Sequence, residues 1–474
     1  MPLSKLNRRA LATALAPLLT ATPMAAHAGG FALLESSASS LGTSYAGAAA
    51  EAADASTIFY NPAGLTYLPG GQITGSVDLI RPSAKFSDSG SLPSGTNSFG
   101  ITTAPVVRPL GGNGGDAGSL AAVPALFASY QVAPRWTLGI GINAPFGQKT
   151  NYTPDWIGRF QGLTSQIETI NINPTVAWRV TDRISLGLGA DYQRIDATFS
   201  QGVNYAGQVF NSVAPVAGGA AASGAATATT AGGKAEGSAV IKGNDAAWGW
   251  NAGAVFELND QTKLGIAYRS AVKYRVNGTV TFNNAPTASP LVLGAAGAAA
   301  FNAGVAGGNV NADVKLPDSL SASLVYQLDP RWTLMGNVSW TGWSSIQNLT
   351  FVRDNGNLLS STAENFRDTW RVGLGATYKV NDQWLLRGGT AYDQTPVRDA
   401  QITPRLPDQS RYWLSIGAQY KMNKAFVFDV GYAHLFANDR SINQNNGNTT
   451  LYGAIIGTYQ VSVDILGAQV TYKF

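Results

Sequence analysis

Apolar and non-apolar side chains alternate one for one along most of the chain. In 411–422, RYWLSIGAQYKM, the even positions are Tyr412, Leu414, Ile416, Ala418, Tyr420 and Met422, and the odd ones Arg411, Trp413, Ser415, Gly417, Gln419 and Lys421. A period of two puts the two sets on opposite faces of a strand. The same split separates Trp136, Leu138, Ile140 and Ile142 from Thr137, Gly139, Gly141 and Asn143. It also separates Trp332, Leu334, Val338 and Trp340 from Thr333, Met335, Asn337 and Ser339, and Trp370, Val372, Leu374, Ala376, Tyr378 and Val380 from Arg371, Gly373, Gly375, Thr377 and Lys379. The second face is small and polar. A dry sandwich core could not use it, whereas a wet or ligand-lined lumen could.

Tight turns at 133–135, 181–183, 259–261, 329–331, 381–383 and 422–424 alternate with long stretches at about 87–119, 147–166, 197–245, 277–313, 344–365, 393–409 and 438–458. Short turns at one end and long loops at the other match outer-membrane barrels. The runs number about 14, an even count as single-chain barrels require, and the last closes on Phe474. The pattern therefore predicts an all-β fold: a 14-stranded antiparallel transmembrane β-barrel over 71–474. A closed ring has no free edge, so a monomer is expected. The Gly/Ala-rich stretch 206–240 reads as a flexible loop.

Composition narrows the function. Lys5, Arg8 and Arg9, the apolar run 10–19 and Ala26-His27-Ala28 read as a secretory signal over 1–28, cleaved near Ala28. Removing its three basic residues from 32 leaves 29 against 28 acidic, a net charge of +1, with no basic cluster for nucleic acid. There is no cysteine, and His434 is the single histidine left after residue 28. It shares parity with Phe426, Phe428, Val430 and Tyr432, the lipid-facing set, which disfavours a lipase or protease. No enzyme activity, cofactor or metal is expected.

The segment 29–70, small-residue-rich and with turns and a short helical stretch near 46–55, is neither strand nor surface loop. In a barrel too wide to be filled by its own side chains it can fold inside as a hatch, since irregular backbone at membrane depth must be buried in protein or line a cavity. Asn61-Pro62-Ala63-Gly64 reads as the turn that fixes its fold.

Several ordered segments now carry a resemblance: GF at 30–31, NPA at 61–63, APFG at 144–147, WIGRF with SQIETININPTVAWRV within 156–180, WGWNAGAVFELND at 248–260, AYRSAVKY at 267–274, FRDTWRVGLGATY at 366–378 and LPDQSRYWLSIGAQY at 406–420. Across the whole mature chain the sequence resembles the FadL-type family of outer-membrane transporters for long-chain fatty acids and other hydrophobic compounds. The resemblance implies a Gram-negative outer-membrane location and a hatch motif at Asn61, Pro62 and Ala63. It also implies a lateral opening at a kink in the third strand, here Asn143, Pro145, Phe146 and Gly147, and a binding pocket reached by Phe31.

From the residues themselves, Pro145 cannot donate to a ladder and Gly147 permits a kink, while Pro124 removes a donor in the neighbouring strand. Loops 147–166 and 277–313 are candidates for capture, the first through Tyr152, Trp156, Ile157 and Phe160, the second through the apolar run 291–305. A carboxylate would want a cation, and Arg367, Arg371 and Arg411 have lumen parity. Where the fatty-acid type of the family has a basic residue just past the fifth strand, this chain has Ser200-Gln201. The expected substrate is a long-chain fatty acid, with a neutral aromatic or alkane hydrocarbon as the alternative. A general porin is disfavoured by the hatch and the apolar loops.

Overall fold

The computed structural model describes residues 29–92, 94 and 111–474. The signal read over 1–28 lies outside the described residues. Fourteen antiparallel strands close on themselves: β1 (Gly71–Asp88), β2 (Ala121–Ala133), β3 (Trp136–Asn143, resuming at Gly147–Asn151), β4 (Thr164–Thr181), β5 (Ile184–Asn204), β6 (Glu236–Asn259) and β7 (Thr262–Arg269 with Val272–Asn283). The ring continues with β8 (Gly308–Leu316 with Ser319–Gln327), β9 (Trp332–Thr341 with Asn348–Arg353), β10 (Leu358–Ala363 with Thr369–Lys379), β11 (Trp384–Asp393), β12 (Arg411–Lys421), β13 (Phe426–Ala437 with Arg440–Gln444) and β14 (Ile455–Lys473). Each strand pairs with the next, and β14 returns to β1 from Gln72↔Lys473 to Asp88↔Gly457. At the seam Gly71 and Phe474 exchange two backbone hydrogen bonds, of 2.8 and 2.9 Å.

The alternating faces sort as expected. Trp370, Leu374, Leu414 and Ile416 are 54–63% exposed, an apolar belt only lipid could cover. Cross-strand aromatic pairs edge this belt on both sides. Trp136 with Trp178, Trp332 with Tyr378, Trp384 with Tyr420 and Phe426 with Tyr472 stand beside the short turns. Tyr192 with Trp248, Trp250 with Tyr268 and Tyr392 with Tyr412 stand below the long loops. His434 points outward with the lipid-facing set, its Nδ1 2.7 Å from Asp464.

The inner face holds the segment 29–68. Three single-turn helices, α1 (Ala38–Leu41), α2 (Ala48–Glu51) and α3 (Thr57–Tyr60), lead to a 3₁₀ turn at Pro62–Tyr67. Helices this short do not hold in water alone, and here the wall holds them. Ser37 donates to Gln469 of β14, Ser44 bonds Ser415 of β12, and the Ala49 amide donates to Ser323 of β8. Thr66 donates to Ser185 of β5, and Ser76 of β1 donates to the Ser36 carbonyl. Partners on strands spread right around the ring put this segment in the lumen. The wall also thins to receive it. A Cβ at Gly265 would collide with the Ala49 carbonyl, and one at Gly389 with the Thr43 backbone. The small inner residues read from the sequence as lining for water or ligand therefore chiefly make room for protein.

One segment departs from the sequence reading. The stretch 206–240 contains a long helix, α4 (Tyr205–Thr229), kinked at Gly218, and the first residues of β6. Alanine is the strongest helix former, and Asn204 caps the start by accepting from the Gly207 amide, so the Ala content outweighs the glycines. The apolar run 291–305 is helical as expected, as α5 (Pro290–Gly304), and Leu293 and Phe301 pack on a cluster built from Val209 and Phe210 of α4.

If the glycines exist to seat the inner segment, Gly265→Val should leave a folded barrel with that segment displaced. Ion conductance in a planar bilayer is expected to rise several-fold over a nearly silent wild type. Unchanged conductance with a folded barrel would remove this role.

Candidate functional site

Asn61 is the joint between inner segment and wall. Fully buried and extended at φ −161°, it accepts from the Ala63 amide at 3.0 Å, while Pro62 starts the 3₁₀ turn that follows. Its Nδ2 donates to the carbonyls of Ala49 (2.6 Å) and, in β6, Ala254 (3.1 Å). A Cβ at Gly253 would strike the Asn61 side chain, so wall and turn are fitted to one another.

The third strand is broken where the sequence suggested. Its first half pairs with β2 as far as Leu126↔Ile142, whereas Gly147–Asn151 pairs with β4 only. The upper part of β2, Ala121–Ala125, is bonded to β1, and no strand pairs with its other side among the described residues. Pro124 sits in that unpaired edge, where a missing donor costs nothing. The backbone at the break is satisfied from inside. Leu33 N donates to Pro145 O at 2.8 Å, and Gly147 N donates to Phe31 O at 2.9 Å. On the other side Thr169 of β4 donates to Phe146 O and accepts from Phe146 N. Asn143, buried, donates to Ser36 in the inner segment.

Phe31 meets Phe146 (6.1 Å between ring centres) and Trp343 (4.7 Å), and Trp343 meets Phe366. These rings stand where two cavities approach each other. The upper one, about 70 Å³, is walled by Phe31, Ile195, Phe199, Val276, Phe351 and Phe366, with Gln148, Glu364 and Arg405 as polar lining. The lower one, about 120 Å³, lies against Leu33, Tyr60, Pro145, Phe146 and Arg371. Above both, beneath α4 and α5, opens a vestibule of about 520 Å³ that shares Phe199, Phe351 and Arg405 with the upper cavity.

Arg405 is thus at the boundary between vestibule and pocket. Its guanidinium donates to Ser165 Oγ (3.1 Å) and Gln201 Oε1 (2.7 Å), and no carboxylate among the described residues lies within ion-pair distance. Burial pushes its pKa down to about 10. Glu364 in the same pocket is pushed up to about 7, again by burial, with Arg405 opposing the shift. Gln148 and Thr150 donate to the Arg405 carbonyl, and the Tyr152 hydroxyl donates to that of Pro404 (2.8 Å), so loop 147–166 fixes this arginine.

The other expected residues take varied places. Phe31 lines the upper pocket. Trp156 is fully buried, stacked on Tyr152 at 4.0 Å and donating to the Gly162 carbonyl, with Phe160 buried and Ile157 partly so. Together they form the interior of their loop and face Phe86 and Ile455 rather than solvent. Arg371 donates to Ser44 O at 2.7 Å and lines the lower cavity. Arg411 is ion-paired with Asp408 at 2.7 Å, and Arg367 donates to Thr395 O. Ser200 and Gln201 lie within β5, which runs to Asn204, rather than past its end.

Sequence reasoning missed Arg405, Glu364 and Trp343. Arg405 meets Gln201 across 204 positions, a pairing that no local pattern displays. The one signal was the uncharged Ser200-Gln201, which left a cation to be supplied from elsewhere.

The family described as "Outer membrane protein transport protein (OMPP1/FadL/TodX)" matches residues 19–474. The chain belongs to this family. It is similar to the long-chain fatty acid transport protein of Escherichia coli K12, 30% identical over 468 residues covering 94% of this chain and 97% of that one. It is likewise 30% identical to outer membrane protein P1 of Haemophilus influenzae, with both chains fully covered. Among solved structures, a FadL homologue of Pseudomonas aeruginosa superposes with a TM-score of 0.79 at 26% identity, over 94% of this chain and all of that one. The toluene transporter TodX of P. putida gives 0.61 at 15% identity, over 89% and 94%, a likeness of fold. This FadL-family barrel is an outer-membrane transporter of hydrophobic compounds, not an enzyme.

Asn61→Ala leaves the buried Ala49 carbonyl without its side-chain donor and removes the bond to the Ala254 carbonyl, a loss of about 1–3 kcal/mol. Hydrogen exchange at 49–66 is expected to speed up by at least about tenfold while the strands keep their protection. Equal exchange in both proteins would mean that Asn61 does not anchor the segment.

Proposed function

We propose that this barrel imports long-chain fatty acids. They are captured between α4 and α5, held in the upper pocket with the carboxylate on Arg405, and released sideways past Asn143–Gly147 into the bilayer. The hatch 29–70 closes the lumen to free diffusion. A water-filled pore would not serve such a solute, since each CH₂ exposed to water costs about 0.8 kcal/mol. Val216 and Leu291, 86% and 98% exposed on α4 and α5, offer the first apolar contact.

The observation that carries the reading is Arg405, a desolvated cation with no ion-paired acid among the described residues, at the end of an apolar pocket. A carboxylate supplies the charge-assisted bonds that the arginine lacks. A neutral hydrocarbon would leave it uncompensated. The relative in E. coli, named for long-chain fatty acid transport, supports the same choice. Exit through the wall is supported by the backbone bonds that Phe31 and Leu33 make across the break: drawing these residues back frees Pro145 O and Gly147 N from the inner segment. Arg371 at the lower cavity is then the second cation met along the route.

Uptake of labelled oleate by cells that lack their own fatty-acid porter tests this, with toluene run beside it. Arg405→Gln is expected to lower oleate uptake about ten- to a hundredfold, the equivalent of a lost charged hydrogen bond of about 1.5–3 kcal/mol, without changing toluene entry. Toluene entry with no oleate uptake would transfer the function to hydrocarbons. Glu364 adds a dependence on pH. Below about pH 7 it is neutral; above, it carries a negative charge that draws on Arg405 and repels the incoming carboxylate. Oleate binding to the purified protein should therefore weaken several-fold between about pH 6 and about pH 8, and Glu364→Gln should flatten that profile.

A further inference from the structure

Beyond the transport path, the outer surface of the barrel carries an unbalanced pair of charges. Lys273 on β7 and Lys315 on β8 are directly opposed in the antiparallel register. Both are exposed and point outward, because their neighbours Tyr274 and Leu316 are buried toward the lumen. Like charges directly opposite each other across a ladder are destabilising. Neither lysine has an acid within ion-pair distance among the described residues. Arg275, one outward step along β7, stands directly opposite Asp313, and the outward Arg194 on β5 is ion-paired with Asp196, whereas the two lysines stand directly opposite each other.

Their height on the barrel identifies a partner. Gly249 abuts Val272, which sets Trp248 and Lys273 on adjoining outward positions. Trp248, Trp250, Tyr192 and Tyr268 make the aromatic edge below the long loops, where hydrocarbon gives way to headgroups. The lysines stand immediately beyond that edge. We propose that Lys273 and Lys315 together bind a phosphate group on the headgroup of an outer-leaflet lipid. One doubly charged phosphate between them replaces mutual repulsion by two charge-assisted contacts, while the lipid's chains lie along the apolar belt under Trp248. Lys242, exposed on β6 three outward steps beyond Trp248, past Ala246 and Asn244, is too far from this edge to share the group and serves as the internal control.

The test uses the full-length barrel in nanodiscs doped with bis-phosphorylated lipid A, with lipid retention read by native mass spectrometry and folding checked by heat-modified gel mobility. Retention by Lys273→Gln/Lys315→Gln is expected to be about twenty-five-fold weaker, from about fivefold for each lysine near an anionic surface. Lys242→Gln should retain lipid as the wild type does. Enzymatically dephosphorylated lipid A should not distinguish wild type from the double variant, and inorganic phosphate at the same concentration should not displace the lipid. Equal retention by wild type and double variant would overturn the proposal. So would an equal loss in Lys242→Gln, which means diffuse attraction, or displacement by inorganic phosphate, which means a free-anion site only.

Discussion

Every backbone N–H and C=O at the depth of a bilayer must find a partner inside the protein, because hydrocarbon supplies none. That constraint decides most of what this chain does. It forces the strands into a ring in which β14 returns to β1. It also makes the third strand intelligible. A ladder can be broken beside lipid only if the freed groups bond elsewhere, and here Phe31 and Leu33 of the inner segment bond Gly147 N and Pro145 O while Thr169 of β4 holds Phe146 from the other side. The break in the wall and the inner segment are therefore fitted to one another, since Phe31 and Leu33 bond the backbone that the break leaves free.

Within the ring a second constraint follows. Fourteen strands enclose more volume than their own side chains can fill. The inner segment occupies the lower part through hydroxyl and amide contacts to the strands. Above it the filling around the upper cavity is aromatic and aliphatic, the lower cavity lies against the inner segment itself, and the vestibule above both is lined by polar and apolar side chains alike. The Phe31, Phe146 and Trp343 rings stand between the two cavities.

How much of this was legible depended on period. The alternation of Tyr412, Leu414 and Ile416 with Trp413, Ser415 and Gly417 fixed the lipid face, the six tight turns were placed to within one residue, and Pro145 marked the break, because all are local signals. The inner occupant was visible only as a segment that fitted neither strand nor loop. The glycines of its seat were misread, since a missing Cβ does not say whether water, ligand or backbone will come close. Trp156 and Phe160 show the same limit: a helical spacing of apolar residues says that a face will be covered, not whether the cover is ligand or the loop's own residues. Arg405 was beyond reach because its meaning depends on Gln201 and Ser165, brought beside it only once the ring has closed.

The seam between Gly71 and Phe474 has a consequence for the order of events during biogenesis. The chain enters β1 directly from the inner segment, and β1 makes its second ladder with the last strand to leave the export machinery. Pairings so distant in sequence form late, because the entropy of closing so long a loop must be met first. A ring already closed would offer the folded segment no way in, as its wall positions leave no slack even for one methyl group at Gly265. The inner segment must then be gathered inside a still-open sheet, and the final zipping of β14 onto β1 both completes the wall and traps that segment within it.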